Sequence, residues 1–183
     1  KDGVVILLQS VEGLPCASVA VRVPVGSLAD PPSRAGLTQL LAQLQSRSPL
    51  GYPYGSLVVQ LESIGAKSGY RVFPHSTVFY ETVPNQHLNW LLQMSLERLK
   101  PGKWNSGEVQ HQSKLLLDSW SRLRQQPSKL QQLRLNSALS GAALSGEMVP
   151  FKPIEVEQHA LQVWSWDKEA SEINPEKAVV VSI

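Results

Sequence analysis

Apolar and polar positions along this chain repeat with two periods, and the switches between them mark its elements. Residues 4–9 are apolar and β-branched and read as a strand, broken by Glu12-Gly13-Leu14-Pro15. Over 17–25, Val19, Val21, Val23 and Val25 share one face while Ser18, Ala20, Arg22 and Pro24 share the other, as in a half-buried strand. The two strands with their turn suggest an antiparallel, hairpin-like pair. Leu37, Leu40, Leu41 and Leu44 then stand at i, i+3, i+4 and i+7, the stripe of an amphipathic helix over 33–45. Asp30-Pro31-Pro32-Ser33 supplies its start signals. Its other face carries Thr38, Gln39, Ala42 and Gln43.

The period alternates again further on. Leu57, Val58, Leu61 and Ile64 predict a short helix over 56–64, with Gly65 suited to cap its end. Strands follow over 67–73 and 76–83, where Val78, Tyr80 and Thr82 oppose Thr77, Phe79 and Glu81. Leu88, Leu91, Leu92, Leu96 and Leu99 form the next helical stripe, stopped by Lys100-Pro101-Gly102. Asn105 with Glu108 reads as a capping box opening a long helix to about residue 125, burying Val109, Leu116, Trp120 and Leu123. Pro127 opens another helix. A loop over 146–153, a helix over 154–166, a turn over 174–177 and a buried strand over 178–181 complete the order ββααββααα(α)β. Paired strands and runs of helices favour an α+β architecture, a mostly antiparallel β-sheet with helices packed on one face. A dinucleotide fold would need strict alternation and a Gly-rich phosphate turn, and the chain has neither.

Composition narrows the function classes. The 183 residues, 42% hydrophobic and 17% charged, suit one α+β domain over 1–183 with a sizeable core. A net charge of +2 with no basic run argues against nucleic-acid binding. No apolar run approaches the roughly 20 residues of a membrane span. The start, Lys1-Asp2-Gly3, lacks a methionine and a signal pattern, which suggests a processed form, a fragment or one domain of something longer. The single cysteine, Cys16, permits no internal disulfide and reads as a buried structural thiol.

The search for chemistry returns little. His75, His87, His111 and His159 are scattered, with no pair at the spacing of a metal site on one helical turn. No Gly-x-Ser-x-Gly elbow or phosphate loop occurs. Glu62, Glu81, Glu97, Glu108 and Asp118 fall on separate elements. Trp90, Trp104 and Trp120 read as core or partner surface rather than a ligand box.

The order of elements nevertheless meets specific residues. They are the opening Asp2-Gly3-Val4-Val5-Ile6-Leu7-Leu8, Val21-Arg22-Val23-Pro24-Val25-Gly26-Ser27, Asp30-Pro31-Pro32 and Ala35-Gly36-Leu37. Leu61-Glu62-Ser63-Ile64-Gly65-Ala66, Ser76-Thr77-Val78-Phe79-Tyr80-Glu81-Thr82-Val83-Pro84 and Asn174-Pro175-Glu176-Lys177-Ala178-Val179-Val180-Val181 follow. In this order they resemble, nearly end to end, the N-terminal-type domain of the pitrilysin/insulinase/mitochondrial processing peptidase family of zinc metalloproteases.

In active members the helix after Gly-Leu carries His-x-x-Glu-His, two zinc ligands and the base that activates a water. The resemblance places Gln39 and Gln43 at the histidine positions, Ala42 at the glutamate, and the later ligand near Asp118 or Ser119. It therefore implies no catalytic residue and no metal in this domain, with zinc expected in a partner domain or subunit. Active peptidases of this kind have two similar halves, one zinc-bearing and one that closes the chamber around a peptide substrate. The chain is expected to be the first domain of a non-catalytic half, partnered by other domains or subunits of the same peptidase. Substrate in the active half adds as a strand near the segment matching Gly65, Ser68, Gly69, Tyr70 and Arg71. Gly69-Tyr70 stands where active members often have Asn-Ala, and the family's His-Pro-Tyr-Gly-like stretch is replaced near 146–151. The alternative is a purely structural interaction subunit like the respiratory-complex core proteins of the same fold. Bacterial parents of the pitrilysin type, including those that process the pyrroloquinoline quinone precursor, favour a bacterial cytoplasm or periplasm over a mitochondrion, and a separate subunit is equally open.

Overall fold

The computed structural model describes residues 5–9, 12–31, 34–49, 52, 53, 55–100, 103–140, 156, 158 and 178–182. Five strands, β1 (Val5–Gln9), β2 (Cys16–Val23), β3 (Lys67–Val72), β4 (Thr77–Pro84) and β5 (Ala178–Ser182), form one sheet in the order β1-β5-β2-β4-β3. Five α-helices have described bounds: α1 (Leu37–Arg47), α2 (Ser56–Ser63), α3 (Leu88–Arg98), α4 (Ser106–Arg124) and α5 (Pro127–Ser140). The fold is α+β, and three of the four strand pairings are antiparallel. The expected loop over 146–153, most of the helix over 154–166, the turn over 174–177 and His159 lie outside the described residues, although Val156 is helical and buried in the core.

The expected hairpin of the first two strands does not form. β5 inserts between them, parallel to β1 and antiparallel to β2. The Glu12–Pro15 break thus links two strands that are not neighbours.

The alternation of β2 decides which face meets the helices. Ala17, Val19, Val21 and Val23 are buried, and across β4 their partners are Val83, Glu81, Phe79 and Thr77, also buried. Their faces join Leu40, Leu41 and Leu44 of α1, Leu57 and Leu61 of α2, Leu91 and Met94 of α3, and Val109 and Leu116 of α4 in one core. Trp104 seals the α1 end of this core, its Nε1 donating to the Ser48 carbonyl at 3.0 Å, while Trp90 and Trp120 pack against it half-buried. Two ionisable groups also lie on the buried side, Glu81 and Arg98, paired through Oε1 and Nη1. The Arg98 guanidinium sits 5.1 Å from the centroid of the Phe79 ring. Cys16, at the start of β2 on the opposite face, is half-buried rather than buried.

Helix α1 begins at residue 37, not 33. Asp30, buried in the preceding loop, accepts from the Gly36 and Thr38 amides at 2.7 and 2.8 Å and from the Thr38 hydroxyl at 2.5 Å. Gly36 turns into the helix at φ 92°, a left-handed conformation closed to most side chains. The carboxylate therefore caps the helix from outside it and postpones its first turn. Asn85, which could cap the helix after Pro84, does not: its Nδ2 donates to the Leu14 carbonyl, and His87 stands at the start of α3 with no side-chain cap bond. Two other predicted caps form. Gly65 ends α2 at φ 69°, and Asn105 and Glu108 exchange both bonds of a capping box at the start of α4.

Candidate functional site: the polar face of helix α1

The stripe of α1 is buried to 3% exposure or less at Leu37, Leu40, Leu41 and Leu44, so the orientation of its remaining residues is fixed. Thr38 belongs to the Asp30 cap. Ala42 is fully buried and its methyl group contributes to the core. Gln39 and Gln43, one turn apart and half-buried, make the polar face.

Each amide has a partner from another element. Gln43 Nε2 donates to Gln112 Oε1 of α4 at 2.5 Å. Gln39 Nε2 donates to the Tyr70 hydroxyl of the end strand β3 at 3.4 Å. The Tyr70 ring reaches inward against Phe79, centroids 6.3 Å apart, and so stands between β3 and α1. Burial pushes its phenol above the usual range, against the pull of the Gln39 hydrogen bond and the Arg47 charge.

Asp118 and Ser119, which the resemblance sets near the later ligand, are exposed on α4. Asp118 accepts from Arg122 Nε through its carbonyl, and the Ser119 hydroxyl donates to the Leu116 carbonyl. The residue that meets α1 is Gln112, buried two turns earlier. The periodicity contains a signal for it: Val109, Gln112, Ser113 and Leu116 hold stripe positions of α4, and two of the four are polar. Of the edge residues, Ser68 and Arg71 are exposed and Gly69 and Tyr70 half-buried on β3, with Gly65 in the turn before it.

The donor set can be weighed against a zinc ion. Zinc takes imidazole, thiolate or carboxylate, and a hydrolytic site needs a base beside it. Gln39 and Gln43 offer two neutral amides, already hydrogen-bonded, and Ala42 a methyl group, and this set does not fit the ion. Among the described residues no three His, Cys, Asp or Glu side chains gather as a metal-ligand group. Within the same residues no helix is long and apolar enough to cross a membrane.

No curated protein sequence gives a significant match. Among solved structures the chain is similar to pitrilysin (TM-score 0.75, 21% identity, 98% of this chain and 20% of that one). It is also similar to the peptidase M16 inactive domain from Pseudomonas fluorescens (TM-score 0.73, 14% identity, 97% and 43%). A third is the first half of the periplasmic protease PqqL from Escherichia coli (TM-score 0.73, 13% identity, 97% and 39%). The chain spans less than half the length of each, and at these identities the likeness concerns the fold. A family model for insulinase (peptidase family M16) matches residues 5–149, and the chain belongs to this family.

Proposed function

We propose that this chain is a catalytically inactive domain of a zinc metallopeptidase assembly, one that helps form the closed chamber around a peptide held by a zinc-bearing partner domain or subunit. The observation that carries the reading is the state of α1. Its apolar stripe keeps the helix seated, while Gln39 and Gln43 hold amide hydrogen bonds and Ala42 is buried where the family's ligands and base would stand. The similarity to a structure described as an M16 inactive domain supports it.

A contribution to substrate binding rests on β3, which ends the sheet formed by the described residues and so offers an edge for strand addition near Gly65, Ser68, Gly69, Tyr70 and Arg71. The inward Tyr70 ring lies between that edge and α1, so a peptide added there would meet a ring and an amide instead of a hydrolytic centre.

The test measures bound zinc and peptide hydrolysis in the purified protein alone and with its co-purifying polypeptides. Stoichiometric zinc and cleavage by this chain alone, abolished in Gln39→Ala or Gln43→Ala, would overturn the reading. Activity that appears only with a partner carrying His-x-x-Glu-His supports it. A chain whose complexes never contain such a partner would be the non-enzymatic interaction subunit instead.

A further inference from the structure

Two hydrogen-bond donors beside the polar face of α1 are unspent. Gln39, Gln43 and Arg47 follow one another at intervals of four residues, so they line one side of the helix. All three are half-buried, as is Tyr70 of β3. Gln43 is taken by Gln112. Gln39 Nε2 donates to the Tyr70 hydroxyl oxygen at 3.4 Å, which leaves that hydroxyl its own proton to give. Among the described residues the proton meets no acceptor.

Arg47 is the second such donor. Its Nε is buried without a hydrogen-bond partner, and among the described residues its guanidinium makes no ion pair. Buried donors left unpaired are costly, and folded proteins keep few of them. Helical side chains lean toward the helix N-terminus, which carries Arg47 back along α1 toward Gln39 and Tyr70. Its charge acts on the Tyr70 phenol, whose raised pKa keeps the hydroxyl protonated through neutral pH. One fixed positive charge and one O–H donor therefore share a half-buried place between α1 and β3.

We infer that Arg47 and the Tyr70 hydroxyl form a binding site for a peptide carboxylate, with Gln39 steadying the hydroxyl. A carboxylate presents two coplanar oxygens, which suit the N–H pair of a guanidinium and one further donor. One cation with a neutral donor balances a single negative charge, whereas a phosphate dianion would keep an unmatched one. Tyr70 lies on the strand that ends the described sheet, and a peptide added there would set alternate side chains toward α1. A Glu or Asp side chain, or the end of a chain that stops there, supplies the same group. The inference rests on the reading of α1 as a face without zinc, and it names what that face accepts.

The test titrates the purified protein with dansyl-labelled peptides of one Val-Thr repeat. They differ at the central residue and the C-terminus: Glu with an amidated end, Gln with a free acid, Gln with an amidated end, and phosphoserine with an amidated end. A single carboxylate, in either place, is expected to tighten binding about tenfold or more over the Gln amide, the scale of a hydrogen bond to a charged group. Preference for the Glu amide makes a side chain the source, and preference for the free acid makes it a chain end. Arg47→Gln, and Tyr70→Phe with its ring still against Phe79, should each cut that preference about threefold or more. Equal affinity for the Gln amide, tightest binding of the phosphoserine peptide, a preference unchanged in either variant, or no binding by any peptide would overturn the inference. Stoichiometric zinc that is lost in Gln39→Ala would overturn the reading of α1 and this inference with it. A missing preference in zinc-free protein overturns the inference alone.

Discussion

Gln43 of α1 and Gln112 of α4 face each other as an amide pair, Nε2 to Oε1 at 2.5 Å, across 69 positions of chain. Gln112 is fully buried, so loss of its donor costs desolvation as well as the bond. Gln43→Ala is expected to destabilise the protein by about 1–3 kcal/mol. A double-mutant cycle with Gln112→Ala in urea denaturation should give a coupling of at least about 0.5 kcal/mol. Strict additivity of the two substitutions would mean that the pair does not staple α1 to α4.

The Glu81–Arg98 pair makes stability depend on pH in a defined direction. Burial raises the Glu81 carboxyl above its ordinary 4.5, opposed by the Arg98 charge and hydrogen bond. A raised carboxyl means that the folded state binds the proton more tightly than the unfolded state. Its ionisation therefore weighs against folding above the folded pKa, and that cost fades as pH falls toward 4.5. Relative to Glu81→Gln, the native protein should gain stability on acidification from neutral pH. Denaturation midpoints of both proteins at a series of pH values measure this, and a native protein that loses stability relative to the variant would reverse the sign.

Removing one member of the same pair is a harsher change. Arg98→Met leaves Glu81, 1% exposed in the native fold, without the cation it is paired with, and the expected loss is about 3–5 kcal/mol at neutral pH. The double variant Glu81→Leu/Arg98→Met should recover much of it, because no buried charge is then left alone. Thermal unfolding of the three proteins separates these outcomes.

Two glycines test which neighbours can yield. The three atoms nearest a Cβ at Gly69 all belong to the Tyr80 side chain, which is half-exposed and can swing away, so Gly69→Ala is expected to be close to neutral. A Cβ at Gly26 overlaps the backbone carbonyl of Phe73 and comes within 2.5 Å of that of Pro74. That backbone is held by the Ser27 and Leu28 amides at 3.0 Å each. Gly26→Ala should cost about 1–3 kcal/mol, as overpacking does. Equal effects in calorimetry would show that the 73–74 turn gives way as easily as a side chain.

Asp30 holds the entry to α1 through three accepted bonds, two of them to backbone amides. Asp30→Ala should cost about 1.5–3 kcal/mol, the range for hydrogen bonds to a charged group. Hydrogen exchange at the Gly36 and Thr38 amides should accelerate with it, whereas loss of stability with unchanged exchange there would place the effect elsewhere.

Local pattern was sufficient for much of this protein. The order of elements, the stripe of α1, the alternation of β2 and the capping box of α4 follow from residues within a few positions of one another. The identities Gln39, Ala42 and Gln43 are equally plain in the chain. Tertiary structure decided what these elements meet. Periodicity reports that a segment buries a face but not against what, so the seating of β5 between β1 and β2 has no local signature. A buried Glu81 is legible only once Arg98 arrives from α3, since an unpaired carboxylate would not be tolerated there. The helix start moved because Asp30 found the amides of Gly36 and Thr38. Gln43 met Gln112, and Gln39 met Tyr70, because packing of the apolar faces brought α4 and β3 beside α1 and left their polar groups to satisfy one another.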